Sequence, residues 1–275
     1  MKLLKITSED DKDEDDELDQ HFDEVKTASI EEIAPEVRDN SSDVKIKGKP
    51  VEGFDAVYAE IPEKNAVFGR VLLEVIEEKG IPLNYSSTSF FAMSKKNYLY
   101  SVLHEKKVSA PKTAVVADEK SARNLENYLK GPLVARKFEH FEESERKKID
   151  TVEDISGFTE GIEYGENFIL FQEYSKGSKY RCLIAGEEVI SLEDTSEQWD
   201  VGKDNLRYSN IPSDIEALVL DAKSSLGFRT AEVLVRDEEV VDVNPNPNLG
   251  LYAKISGKDV YKTVAEAMKE GTEDE

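Results

Sequence analysis

Residues 230–244, TAEVLVRDEEVVDVN, are two runs rich in β-branched residues around a two-residue charged turn, Asp237-Glu238. Such a pattern makes an antiparallel hairpin and little else, because alternate side chains of each run face opposite ways. The second run carries an acid, Asp242, and ends in Asn-Pro-Asn-Pro-Asn. Proline fixes φ and has no N–H to donate, so the strand stops there and holds Asn244 in place. Asp242 and Asn244 are two apart on a strand, so they leave the same face with Cα atoms roughly 7 Å apart. Val241 and Val243 face the other way. A carboxylate beside an amide oxygen at a strand end suits a hard cation such as Mg2+, which takes oxygen ligands. The plainer alternative is an Asx/Pro turn with a solvated acid on an edge strand.

The rest of the chain supplies alternating elements. KLLKIT (2–7) and DAVYAEI (55–61) read as strands. A helix follows with Phe68, Leu72, Val75 and Ile76 on one face, closed by Gly80, and then the strand-like IPLNYS (81–86). This start predicts a small parallel sheet. A helix runs from about Lys95 to Lys106, before Pro111. KTAVVA (112–117), a helix capped by Asp118 and carrying Ala122, Leu125 and Leu129, and PLVARKF (132–138) form a β-α-β unit. FILFQEY (168–174) is a further strand, and YRCLIAG (180–186) with EEVISLED (187–194) is spaced like a hairpin. Ser213 caps a helix with Ile215, Leu218, Ala222 and Leu226 on one face and Gly227 beyond it. A last helix carries Val260, Val264 and Met268. The order is α/β first, then α+β with an antiparallel sheet late in the chain.

Composition excludes several roles. With 59 acids against 36 bases the net charge is −23, which repels nucleic acid and acidic membranes. So dense a carboxylate surface is also of the kind that keeps proteins hydrated at high salt. No apolar run approaches the roughly 18 residues of a membrane span, and the N-terminus lacks a secretory pattern, so the expected setting is cytoplasmic. The block from Glu9 to Glu24 reads as a solvated loop. The single cysteine, Cys182, reads as a core residue of a strand.

Polar residues recur at strand ends: Arg136 and Lys137, Gln172 and Glu173, Arg181, and Asp242. If the strands pack, Arg136 or Lys137 points into the space that Asp242 faces. Cations and acids gathered there would make a polyphosphate–metal cleft.

Over about residues 55 to 268 the chain resembles the ATP-grasp superfamily, and within it the RimK-like amino-acid ligases. PLNYSSTSFFAMSKKNYLYSVLHEKKVSAPKT is similar to the segment placing a nucleotide-contacting lysine, here Lys96. GPLVARKF is similar to the phosphate-touching strand, with Arg136 in that place or, one residue on, Lys137. ILFQEYSKGSKYRCLIAGEEVIS resembles the hinge, so Gln172, Glu173, Tyr174 and Lys179 would border the nucleotide and Arg181 would match the arginine after it. DNLRYSN resembles a later RSN segment, with Arg207 and Asn210 as counterparts. VVDVNPNPNLGLY is similar to the EVNxxPG metal motif, with Asp242 and Asn244 in the ligand places.

The resemblance implies an N-terminal parallel α/β domain at 1–93 and two α+β subdomains, 94–174 and 175–275, clamping a nucleotide. It implies ATP and Mg2+ (or Mn2+), and an acylphosphate formed from an acceptor carboxylate, on a protein tail or small metabolite. An amino-acid donor would supply the amine, with Arg181 and Arg207 gripping substrate; a homo-oligomer is left open. Two departures point instead to a non-catalytic ATP-grasp scaffold. The segment 139–152, EHFEESERKKIDTV, has no glycine where relatives carry a glycine-rich phosphate loop, and glutamates 139, 142, 143 and 145 oppose Arg146–Lys148. Leu234 stands where a second metal-binding acid belongs, with Glu232, two residues earlier on the same face, as the alternative ligand.

Overall fold

A computed structural model describes residues 1–8, 17–38, 41–51, 53–122, 124–139, 142–151, 154–160 and 167–270. Glu9–Asp16 of the acidic block lie outside the described residues. The remainder of that block is ordered: Glu17–His21 forms a 3-10 turn that buries Leu18, and Glu24 begins a strand.

Strands β1 (Lys2–Thr7), β2 (Glu24–Ser29) and β6 (Ala56–Ala59) form the expected parallel sheet, in the order β2-β1-β6. Every residue of β6 is buried, as a continuous apolar run in a parallel sheet requires. Between them β3 (Ile33–Arg38), β4 (Ser41–Ile46) and β5 (Lys49–Pro50) make a separate antiparallel sheet. The charge-rich sequence there gave no strand signal, yet Ile33, Val44 and Ile46 are buried in the same core as Leu72 of α1 (Ala66–Glu77).

The stretch 81–86 does not form a strand. Leu83 and Tyr85 make single bridges to Val57 and Phe228, and Asn84 does the joining. Its side chain accepts from Ala59 N at 2.9 Å and donates to Ala59 O at 2.9 Å. Its own carbonyl accepts from Arg229 and Thr230 N–H groups at 2.8 and 3.0 Å. Asn84 thus ties the parallel sheet to the C-terminal sheet. Asn84→Ala is expected to cost about 1–3 kcal/mol, because Ala59 N–H is left buried without its partner; equilibrium denaturation checks this.

Helix α2 (Ser87–Ser94) was not legible, because its residues are buried on several sides and leave no apolar stripe; Ser86 caps it, accepting from Ser89 N at 3.0 Å. Helix α3 (Lys96–Glu105) follows as expected. Strand β7 (Thr113–Val116) leads to Asp118, whose Oδ1 accepts from Ser121 N at 2.6 Å. The expected single helix there is α4 (Glu119–Ala122) and then a 3-10 turn at Leu125–Asn127, among asparagines that favour turns over helix interiors.

Strand β8 (Leu133–Glu139) pairs antiparallel with β9 (Glu142–Ile149), in the glycine-free segment where the resemblance would place a phosphate loop. The mostly exposed charged residues of β9 carry no apolar alternation, so the strand was invisible in the sequence. After the short α5 (Ile155–Thr159) comes β10 (Phe168–Glu173), giving an antiparallel sheet of order β7-β10-β8-β9. The third antiparallel sheet, which pairs with the second to frame the cleft, holds β11 (Lys179–Ala185), β12 (Glu188–Asp194), β13 (Leu206–Tyr208), β14 (Thr230–Arg236) and β15 (Glu239–Asn244), in the order β13-β12-β11-β14-β15. Cys182 is buried in it, as expected. Helix α6 (Ser213–Leu226) has Pro212, not Ser213, at its cap and ends at Gly227 with φ 75°. Helix α7 (Leu249–Ser256) is capped by Asn248, and α8 (Val260–Glu270) closes the chain. Among the described residues no helix is long and apolar enough to cross a membrane.

Candidate active site

The two antiparallel sheets meet at the ends of β8 and β15. The register of the C-terminal hairpin sets Leu234 opposite Asp242 and Glu232 opposite Asn244. The space between the sheets therefore receives Asp242 from β15, Arg136 from β8 and Lys96 from the start of α3.

These three side chains form one buried cluster. Asp242 Oδ1 accepts from Lys96 Nζ at 2.9 Å and from Val243 N at 2.8 Å, while Oδ2 faces Arg136 Nη2 at 3.3 Å. Lys96 also donates to the carbonyls of Met93 and Val243, each at 2.9 Å, and lies 3.2 Å from Glu63. Arg136 donates from Nε to Glu143 at 2.7 Å and from Nη1 to Tyr100 Oη at 3.2 Å. Tyr100 in turn donates to Val241 O at 2.5 Å. Burial pushes the Asp242 carboxyl up, but the charges of Lys96 and then Arg136 outweigh it and hold the group down at about 2. Burial pulls Lys96 down, and Asp242 and then Glu63 more than restore it.

Of the two basic candidates on β8, Arg136 reaches Asp242, whereas Lys137 pairs with Glu139 at 3.3 Å. Lys179 donates to Ser196 O and Oγ and to Gln198 O, and lies 3.1 Å from Asp194. It organises the 196–200 loop rather than presenting a free ammonium. Gln172 donates to Thr113 Oγ1 at 3.3 Å. The hinge residues Glu173 and Tyr174 use their backbone N–H groups on Lys112 O and Pro132 O. Glu173 also accepts from Lys130 N at 2.8 Å. Arg207 is exposed and pairs with Glu193 at 2.8 Å, and Asn210 is exposed near it.

A second buried cluster lies beside the first. Arg181 binds Glu232 with both arms, Nε–Oε1 at 2.9 Å and Nη2–Oε2 at 2.7 Å. Glu232 Oε1 also accepts from Tyr252 at 2.7 Å, and Oε2 from Asn244 Nδ2 at 3.2 Å. Asn244 Oδ1 accepts from Asn246 N at 3.0 Å.

This donor set does not fit a divalent metal ion. Both oxygens of Asp242 meet cations, both oxygens of Glu232 meet Arg181, the Asn244 oxygen accepts from the Asn246 backbone N–H, and Leu234 adds none. Among the described residues no three His, Cys, Asp or Glu side chains converge as a metal group. A metal ion would have to displace Lys96 or Arg136 first.

The sequence reading missed Arg236, and it noted Arg146 only as one of three consecutive bases, Arg146–Lys148, opposed by nearby glutamates. Arg146 of β9 donates to Glu143 and, across the gap between the sheets, to Asp200 at 2.8 Å. Arg236, the last residue of β14, lies with its guanidinium 4.8 Å from the centre of the Tyr174 ring. Arg146 belongs to a charge-rich stretch that gives no periodic signal, whereas Arg236 ends a well-patterned strand, where an arginine is ordinarily solvated.

A small parallel α/β unit followed by two antiparallel sheets closing on a shared cationic cleft defines the ATP-grasp fold. Solved structures agree. The ATP-grasp ligase PsnB, complexed with precursor peptide PsnA2 and AMPPNP, superposes with TM-score 0.70 at 13% identity, covering 98% of this chain and 97% of that one. The RimK domain protein ATP-grasp from Sphaerobacter thermophilus superposes with TM-score 0.68 at 16% identity, covering 97% and 99%. No family model matches the chain. In sequence it is similar to a probable alpha-L-glutamate ligase of Cellvibrio japonicus, 23% identical over 261 residues, 90% of this chain and 87% of that protein. The chain therefore has the ATP-grasp fold, and in sequence it is similar to RimK-like ligases.

Proposed function

We propose that this chain is an ATP-dependent carboxylate–amine ligase. A carboxylate oxygen of the acceptor attacks the γ-phosphorus of ATP, ADP leaves, and an acylphosphate forms. The amine nitrogen of an amino acid, with glutamate the first candidate from the relatives, then attacks the acyl carbon. Phosphate leaves, the nitrogen loses a proton, and an amide bond remains. The observation that carries this reading is the convergence of Lys96, Arg136 and Asp242 from three elements at the meeting of the two sheets.

In this reading 94–174 and 175–275 are the jaws and 1–93 the preceding domain. Lys96 and Arg136 face the phosphates and stabilise charge on the transferring group, a task of positioning and electrostatics. Gln172, Glu173 and Tyr174 border the base. Lys179 shapes the loop at 196–200, Arg181 fixes Glu232, and the exposed Arg207 and Asn210 meet the acceptor carboxylate. One PsnB structure holds Mg and ADP. Here Asp242, Asn244 and Glu232 would have to exchange their present partners to hold Mg2+ or Mn2+, so no step is assigned to a metal.

The specific observation favouring a second reading, a non-catalytic nucleotide-binding scaffold, is that both candidate metal acids are already neutralised by internal cations. One experiment separates the two. The protein is incubated with ATP, amino acids and candidate acceptor peptides or small acids, with Mg2+ or with EDTA. ADP release that requires both substrates, with an amide product by mass, is the expected result. A thermal shift with ATP but no ADP from any pair supports the scaffold. No shift and no ADP overturn both.

A further inference from the structure

Three arginines line one cleft between the jaws: Arg136, Arg146 and Arg236, with Gln172, Asp200 and Asp242 beside them. Two of the three are neutralised. Arg136 meets Asp242 and Glu143, and Arg146 meets Glu143 and Asp200. Arg236 differs. It is only 5% exposed, its Nε has no hydrogen-bond partner, and among the described residues it makes no ion pair. The face of Tyr174 lies 4.8 Å from its guanidinium, and the leading countercharge acting on it is that of Asp200, which Arg146 already holds. A ring face offsets part of the lost hydration of a guanidinium but accepts none of its in-plane N–H groups. Burial accordingly weakens the hold of Arg236 on its proton. A buried guanidinium whose Nε is left without a partner at a cleft is an arrangement that an anion completes.

The surroundings narrow the anion. The cleft lacks the glycine-rich backbone that could lie against phosphate, and its two candidate metal acids are closed by cations. Guanidinium groups from opposite sheets stand there instead, Arg146 from β9 and Arg236 from β14. Planar guanidinium forks match phosphate oxygens and carry the charge that a divalent ion would otherwise supply. The void is about 20 Å³, room for about one water. A larger anion therefore enters by drawing Arg146 away from Asp200, the ion pair that bridges the two jaws.

We propose that Arg236 and Arg146 together grip the phosphates of a nucleoside triphosphate and that this chain binds that nucleotide without a divalent metal ion. The proposal rests on the ligase reading for the identity of the ligand and goes beyond it in naming the residues and dispensing with the metal. Arg236 is a binding residue here; Arg146 both binds and, by leaving Asp200, lets the cleft open.

The test is calorimetric titration of the full chain with ATP, tripolyphosphate and adenosine, in EDTA and then with Mg2+, the two conditions matched in ionic strength and the series repeated at higher salt. ATP and tripolyphosphate are expected to bind in EDTA, with affinity falling as salt is added. Arg236→Gln should weaken both roughly tenfold and leave adenosine unchanged, while Arg236→Lys recovers part of the loss. Because Arg236 Nε makes no hydrogen bond, the melting temperature of Arg236→Gln should stay close to that of the native chain; if it does not, Arg236→Lys and the ratio of ATP to adenosine affinity carry the test. Binding of ATP only when Mg2+ is present, or an Arg236→Gln variant with undiminished ATP affinity, overturns the proposal and leaves the ligase reading standing. Failure of ATP to bind under either condition overturns both. Tight binding of tripolyphosphate with none of ATP overturns the nucleotide assignment.

Discussion

Replacing Asp242 with alanine is expected to destabilise the protein by about 3–5 kcal/mol, the cost of stranding buried charges whose partner is removed. Lys96 and Arg136 are each 4% exposed and both close on this carboxylate. Neither can turn to water without unpacking the meeting of the sheets. Asp242→Asn keeps the shape and the Val243 contact but removes the charge, so its loss should be smaller yet still large. The pH dependence follows with a definite sign. The folded carboxyl sits at about 2, below the ordinary 3.8. Its contribution is fully present above about pH 4 and is lost as pH falls from there through about 2, amounting to about 2 kcal/mol. Between pH 7 and pH 3, denaturant melts should show a fall about 1 kcal/mol larger in the native chain than in Asp242→Asn, in which other acids such as Glu143 and Asp194 still titrate. A native profile no steeper than that of the variant would contradict the cluster as described.

The second large effect belongs to Glu232, which is 1% exposed and holds both arms of Arg181, the Tyr252 hydroxyl and the Asn244 amide. Glu232→Ala leaves a buried guanidinium and a buried phenol unsatisfied and should also cost about 3–5 kcal/mol. The informative comparison is a double-mutant cycle with Arg181. Glu232→Met and Arg181→Met should each be strongly destabilising, whereas the double substitution should lose far less than their sum, because an apolar pair strands no charge. Additive losses would mean that the two residues stabilise the sheet through unrelated contacts. The same cycle bears on function, since a glutamate so tightly bound to arginine is a structural pillar before it is a metal ligand.

Much of this was legible because the elements that build the cleft obey simple periodicities. The β14–β15 hairpin, the β11–β12 hairpin and the apolar β10 lie where alternation and turn residues put them. The inference that a base on β8 faces Asp242 also holds, with Arg136 as that base. What stayed hidden was polar or wholly buried. The outer strand β9 exposes one charged side chain after another, so it has no hydrophobic face to announce it. Helix α2 has no polar face to announce it. Asn84 lies in a stretch that reads as a strand, and only the three-dimensional meeting of Ala59 with Arg229 and Thr230 shows it to be a joint between sheets. The metal motif illustrates the limit most clearly. Spacing places Asp242 and Asn244 on one face, but spacing carries no word of Lys96, more than a hundred residues earlier, which takes the position a cation would fill. Arg236 was overlooked for the converse reason: a strand-end arginine is ordinarily solvated, and its burial against Tyr174 is a tertiary fact.

Backbone amide exchange with and without ATP tests the central claim most directly, because it reports where a nucleotide sits independently of turnover. The account predicts slowed exchange in Leu133–Glu139, Glu142–Ile149 and Glu239–Asn244 and around Glu173 and Tyr174, on both jaws together. Protection confined to the parallel sheet of Lys2–Thr7, Glu24–Ser29 and Ala56–Ala59, or no protection at saturating ATP, would contradict it.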